Sequence, residues 1–232
     1  MNSESRSRIM ARIRGTSAGQ SAEHIARDLS TFGTAPAASL LHANTAIAFI
    51  ARALKNQASV AVAEDRIAAV KAIGQYLYEH HRSHRLVSSN APQLAAMPWR
   101  DGGVLPRFGD LEPGEPVTLA YAPWSIAETG ALVTTTGKHN PALNHFLPEQ
   151  QIVLVETQNI LVDMEQLWAV LTPALEQTRR PRAIHCIAGP SSTADVEATL
   201  VKGAHGPSAL HIVLLGKLPE DALARARHIA GA

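Results

Sequence analysis

Three short strings carry the side chains best suited to chemistry. The first is Trp124-Ser125-Ile126-Ala127-Glu128-Thr129-Gly130. Glu128 is its one ionisable group, and a carboxylate among apolar neighbours is expensive to ionise unless something compensates it. A general acid/base or a nucleophilic carboxylate is prepared in that way. A structural Glu that accepts backbone N–H groups or pairs with a cation has the same pattern. Gly130 permits an unusual turn or a close approach of backbone to ligand. Glu128 is therefore a candidate catalytic residue, with Thr129 and Gly130 as candidate ligand contacts.

The second string is Gly189-Pro190-Ser191-Ser192-Thr193-Ala194-Asp195-Val196-Glu197. It follows an apolar run and leads into a helical pattern over 194–202. Free backbone N–H groups and the helix dipole at such a junction can hold an anion. Gly189, Ser191, Ser192, Thr193 and Asp195 are the candidate contacts. Ser192 and Asp195 also have capping-box spacing, which explains them without a ligand. Neither the GxxxxGK[ST] phosphate loop nor the GxGxxG dinucleotide loop is present.

The third string, Lys202-Gly203-Ala204-His205-Gly206-Pro207, reads as a helix end followed by a turn. His205 is held in this stiff connection as a candidate proton carrier, with Gly206 as a ligand contact. His80, His81 and His84 cluster after a helix, where they read as solvated and weakly favourable to its C-terminal dipole, so no metal site is expected there. Cys186 is the single cysteine of the chain and lies in an apolar run, where it reads as a small hydrophobe. One thiol excludes an internal disulfide and a four-thiolate iron–sulfur cluster within this chain.

These strings need a frame to hold them. Before Ser88 the pattern is helical. Ile9, Met10 and Ile13 share a face, although Arg6, Arg8, Arg12 and Arg14 also give residues 1–22 a faint likeness to a transit peptide. Leu40, Ala43, Ile47, Ile50 and Leu54 mark a helix opened by Pro36, and Ile67, Val70, Ile73 and Leu77 mark one over 64–81. Residues 88–116 read as a long irregular segment or flap. After Pro116, apolar runs at 117–121, 131–135, 152–155, 183–188 and 210–215 alternate with helical patterns. One of those helices holds Met164, Leu167, Trp168, Leu171 and Leu175. Runs without polar alternation suit parallel strands buried on both faces, so the fold class is α/β, a parallel sheet between helices. The three strings then converge on one cleft beyond the carboxyl ends of the strands.

The 232 residues carry a formal net charge of +1, so no general electrostatic field attracts nucleic acid. No apolar stretch is long enough for membrane insertion, and the expected location is the cytoplasm.

The strings from Ala127 to Gly130, Leu147-Pro148 before Ile152-Val153-Leu154-Val155, and above all Gly189 to Glu197 and Gly203 to Pro207, resemble the LUD-domain family, of the lactate-utilisation protein C type. Arg8-Ile9-Met10-Ala11-Arg12-Ile13 resembles that family's first helix. The resemblance implies a three-layer fold like that of glucosamine-phosphate isomerases, ribose-phosphate isomerases and CoA transferases. It implies an N-terminal helical extension over 1–35 and a LUD domain over 36–232. It also implies a bacterial role in oxidising L-lactate to pyruvate beside two iron–sulfur protein partners, which hold the redox cofactors while this chain holds none. Two departures stand out: relatives often carry a basic residue where Ser192 stands and a His where Gln151 stands.

Three functions follow from the resemblance and the residues. The chain is a non-redox component that binds a small carboxylic acid, an anion or a partner segment. Alternatively it is a stand-alone enzyme of CoA transferase or isomerase type, with Glu128 as nucleophile or base and His205 as shuttle. The third is an assembly scaffold whose polar loops are caps. Trp99 and Phe108, in the segment 88–116, mark either a partner contact or core packing.

Overall fold

The computed structural model describes residues 3–16, 21–33, 36–177, 180–194 and 200–232. The chain divides into two compact units, Met1–Ala37 and Ala38–Ala232. In the first, α1 (Ser3–Thr16) precedes α2 (Ala22–Ser30), which Ser21 caps by accepting the His24 N–H at 3.2 Å. Ile9, Met10 and Ile13 of α1 are exposed, as are Ile25, Leu29 and the nearby Phe32.

The second unit begins with α3 (Thr45–Lys55), β1 (Ser59–Ala63), α4 (Arg66–His81), β2 (Arg85–Ser88), α5 (Pro92–Ala95) and β3 (Leu105–Phe108). It continues through β4 (Val117–Ala122), β5 (Trp124–Ile126), β6 (Ala131–Thr135), α6 (Leu143–Phe146), β7 (Gln150–Glu156), β8 (Ile160–Leu161) and α7 (Met164–Gln177). The last elements are β9 (Ile184–Ile187), β10 (Ser192–Ala194), β11 (Leu200–Lys202), β12 (Ala209–Leu215) and α8 (Ala222–Ala230).

Six strands in the order β1-β12-β7-β4-β2-β3 form a wholly parallel sheet. Both faces are covered, and the side-chain period of two sorts the residues between them. Val153 and Val155 of β7, with Ile212 and Leu214 of β12, pack in one core with Ile47, Ile50 and Ala226 of α3 and α8. Ile152 and Leu154 of β7, with Leu119 of β4, pack in the other with Val70, Ile73 and Leu77 of α4. A mostly parallel sheet flanked by helices is thus the architecture. A second sheet, β8-β5-β6-β9, has mixed directions and packs Ile126, Ala131 and Val133 against Leu167 of α7.

Several expectations are corrected. The runs at 131–135 and 183–188 are strands, but they pair antiparallel in the second sheet, Leu132 opposite Ile187, and lie outside the parallel one. Three strands of the parallel sheet come instead from stretches read as helical or irregular. The helix with Ile47 starts at Thr45, not at Pro36, because the Asn44 side chain accepts the N–H groups of Ala46 and Ile47. Of the stretch 194–202, expected to be helical, residues 195–199 lie outside the described residues. The described residues on either side are strands that pair antiparallel, Ser192 opposite Lys202 and Thr193 opposite Val201, so Ser192 stands in a strand and not at a helix N-terminus. Trp99 is not a surface contact: it is 9% exposed, and its Nε1 donates to Leu94 O at 2.9 Å. Phe108, on the edge strand β3, is 38% exposed.

Candidate functional site

The sequence-derived residues gather at the amino edge of the parallel sheet rather than beyond its carboxyl ends. The Glu128 turn joins β5 to β6 and leans on the last turn of α3. Gly130 has φ +70°, and a Cβ on it would stand 2.9 Å from Ala53 N. Asn56, just past α3, donates its Nδ2 to Thr129 O at 2.8 Å. Gly189 meets the same residue: its φ is +100°, and a Cβ there would lie 2.2 Å from Asn56 O. Only glycine allows that approach.

Two residues on, Ser191 binds the third string. Its N–H donates to Pro207 O at 2.8 Å, its carbonyl accepts from Gly203 N–H at 2.9 Å, and its Oγ accepts from His205 N–H at 3.2 Å. Gly206 packs on the Ser191 Cβ. Ser208 donates from both N–H and Oγ to Glu149 O, immediately before β7. Thr129, Gly130, Gly189, Ser191, His205 and Gly206 thereby form one connected rim. His205 is exposed on it and lines an open cavity of about 700 Å³ with Glu149, Lys202 and Phe146. Ser192 is exposed on β10 and Thr193 is half-buried beside it. Asp195 lies outside the described residues. Glu128 is half-buried, and its carboxylate makes no ion pair among the described residues.

The carboxyl edge presents a different site. From β2 the chain passes outward to β3, whereas from β4 it passes to β7 on the other side. Adjacent strands whose connections diverge open a crevice at their carboxyl ends, where open α/β sheets bind ligands. Such a crevice, about 360 Å³, lies here. Ala91, Pro92 and Gln93 after β2, and Tyr121 and Pro123 at the end of β4 with Trp124 opening β5, line two sides. Thr135, His139 and Asn140 at the end of β6, with Asn159 after β7, complete it. Glu128 and His205 are not in its lining.

Two neutral donors serve this crevice. The Tyr121 phenol is buried and accepts from Asn159 Nδ2 at 3.2 Å, which leaves its own O–H to donate. Burial, reinforced by Glu156 and opposed by the Asn159 bond, raises its pKa and keeps it protonated. Asn140 is fixed by reciprocal backbone bonds with Gly137 and by Nδ2 donating to Thr135 O at 3.1 Å. Beneath Asn140 lies His145, 1% exposed, in contact with Asn140 Oδ1 at 3.0 Å and Gln151 Nε2 at 2.6 Å. Burial, then the neighbouring His185, lowers the His145 pKa to about 4. His185, likewise lowered by burial, bonds Thr136 Oγ1 at 2.7 Å. The interior beneath the crevice is therefore uncharged at neutral pH and can order polar groups without a counter-ion.

Among the described residues, no group of three or more His, Cys, Asp or Glu is placed to hold a metal ion. Cys186 is free and exposed on β9, not the buried hydrophobe its apolar neighbours suggest. No described helix is long and apolar enough to cross a membrane.

Tyr121, Asn140, His145, Gln151 and Asn159 were not among the residues singled out as a site. Gln150-Gln151 ahead of Ile152 was the one visible signal: consecutive amides opening an apolar strand must find polar partners if buried, and Gln151 is fully buried.

Comparison with known proteins bears on the same stretch of chain. Residues 117–215 match the family model described as LUD domain. Lactate utilization protein C of Bacillus pumilus is 34% identical over 91 residues, 39% of this chain and 38% of that protein. Its namesake in Geobacillus kaustophilus is 35% identical over 100 residues, 42% of each chain. The matches thus span about two fifths of the curated relatives. The crystal structure of a DUF162 family protein from Deinococcus radiodurans superposes with a TM-score of 0.53 over 75% of this chain and 98% of that one, at 18% identity. That likeness shows the fold.

Proposed function

We propose that this chain, whose residues 117–215 match the LUD domain model, is a component of L-lactate utilisation that binds a small carboxylic acid in the crevice between β2 and β4. One observation carries the reading. The stretch that matches the family model supplies every crevice residue except Ala91, Pro92 and Gln93. Relatives that are 34% and 35% identical to this chain over about two fifths of their length are named for lactate utilisation. Neutral donors at Tyr121 and Asn140, an aromatic wall at Trp124 and a volume suited to a small molecule fit a hydroxy or keto acid.

Oxidation of lactate to pyruvate releases two electrons, and a chain with one thiol cannot hold a four-thiolate cluster. In this reading the iron–sulfur clusters belong to two partner proteins in the cytoplasm, and the chain presents or receives the organic acid. Affinity capture of the chain from cells growing on L-lactate tests the assembly. Co-purification of two iron-containing proteins supports it; capture of the chain alone under gentle conditions counts against it.

A further inference from the structure

We infer that Gln151, His145 and Asn140 form a buried, uncharged relay that leaves one N–H of the Asn140 amide for the crevice, making Asn140 the donor that selects a carboxylate or carbonyl oxygen there. This deepens the crevice reading and rests on it.

The orientation follows from an anchor that cannot be reversed. Thr135 O is a backbone carbonyl and only accepts, so the Asn140 atom 3.1 Å from it is Nδ2. Oδ1 of Asn140 then faces His145 Nε2 at 3.0 Å and requires a hydrogen on that nitrogen. His145 lies 1% exposed beside a second imidazole, His185, with ring centroids 5.8 Å apart, and carries one ring proton at neutral pH. With that proton on Nε2, Nδ1 is an acceptor and takes the hydrogen bond from Gln151 Nε2 at 2.6 Å. The amide of Gln151 must turn to make this bond, and its Oε1 is left buried without a partner among the described residues. Buried acceptors are ordinarily paired. This orphan is explained if donation to His145 is the demand that dominates. Asn140 has two Nδ2 hydrogens; Thr135 O takes one, and the other is available at the crevice, which Asn140 lines.

A neutral relay suits the task. An imidazolium below the crevice would donate from both nitrogens and would pair with any buried acid, whatever its shape. An uncharged Nε2–H fixes the direction of the Asn140 amide alone. Gln151 and His145 are positioning residues, and Asn140 is the contact that discriminates.

The test uses the full chain with ¹⁵N-labelled histidine, assigned by comparison with His145→Gln. Without ligand, His145 is expected to show hydrogen on Nε2 and none on Nδ1 at neutral pH. Titrated calorimetrically, wild type should bind L-lactate and reject 1,2-propanediol, which lacks the carboxylate. Asn140→Asp replaces the donor with an acceptor and should weaken L-lactate about tenfold or more. Asn140→Ala, which removes the donor and adds no charge, covers the case in which the aspartate fails to fold. Gln151→Leu should mix the His145 tautomers and weaken binding to a smaller degree. An Nδ1–H tautomer or an imidazolium in wild type overturns the relay. So does undiminished L-lactate affinity in folded Asn140→Asp or Asn140→Ala. An Nε2–H tautomer in a chain that binds no L-lactate leaves the relay standing and removes the lactate reading of the crevice.

Discussion

His145 and Gln151 meet side chain to side chain, Nδ1 to Nε2 at 2.6 Å, with 1% and 0% of their surfaces exposed. The pairing ties α6 to β7 and supports the crevice from below. Burial of the histidine also makes stability depend on pH in a defined direction.

His145 and His211 both have folded pKa values lowered to about 4, chiefly by burial and secondarily by His185 and His80 respectively. In the unfolded chain they titrate near 6.5. Between those values the unfolded state binds more protons, so stability is fully present above about pH 6.5 and is lost as pH falls towards 4. Each histidine accounts for about 3 kcal/mol of that loss. Urea unfolding at pH 7 and at pH 4.5 checks this, and the difference should shrink in His145→Gln and in His211→Asn.

Trp99→Ala should destabilise the chain by about 3–5 kcal/mol, the range for emptying a large aromatic site. The ring is buried with Leu94, Met97 and Val104, and its indole N–H is satisfied by Leu94 O. Thermal melting and denaturant midpoint measure it. A surface contact residue would leave both nearly unchanged.

Gly189→Ala should cost more than about 1 kcal/mol, because φ is +100° and the new methyl group would meet Asn56 O. Asn56→Ala, which removes one hydrogen bond to Thr129 O, should cost about 1 kcal/mol. Combined, the two changes should not add, since Asn56 is the shared partner.

Glu128→Gln should melt within about 0.5 kcal/mol of wild type, because the half-buried carboxylate has no ion pair among the described residues to lose. A large drop would mark a structural carboxylate. With the fold intact, growth of this variant on L-lactate reads directly whether the charge has a chemical task.

Composition and periodicity revealed the α/β class and the long elements. The apolar runs that became β4, β7 and β12 needed no tertiary information, because burial on both faces leaves few polar positions. The strands missed were those whose pattern says little. β1 is Ser-Val-Ala-Val-Ala, β2 has four residues, and β3 contains Pro106, which an edge position tolerates. Losing them hid the topology, and with it the diverging connections from β2 and β4 that open the crevice. The rim from Thr129 to Gly206 was legible because its glycines have local backbone reasons. The crevice donors were not: Tyr121, Asn140 and Asn159 are far apart in sequence and are gathered only by the strand order.

Growth on L-lactate as sole carbon source, after deletion of the gene for this chain, tests the assignment most directly. Deletion should abolish growth on L-lactate and leave growth on pyruvate intact, with recovery when the wild-type chain is restored and poor recovery with Asn140→Asp. Undiminished growth of the deletion strain on L-lactate would contradict a role in its utilisation.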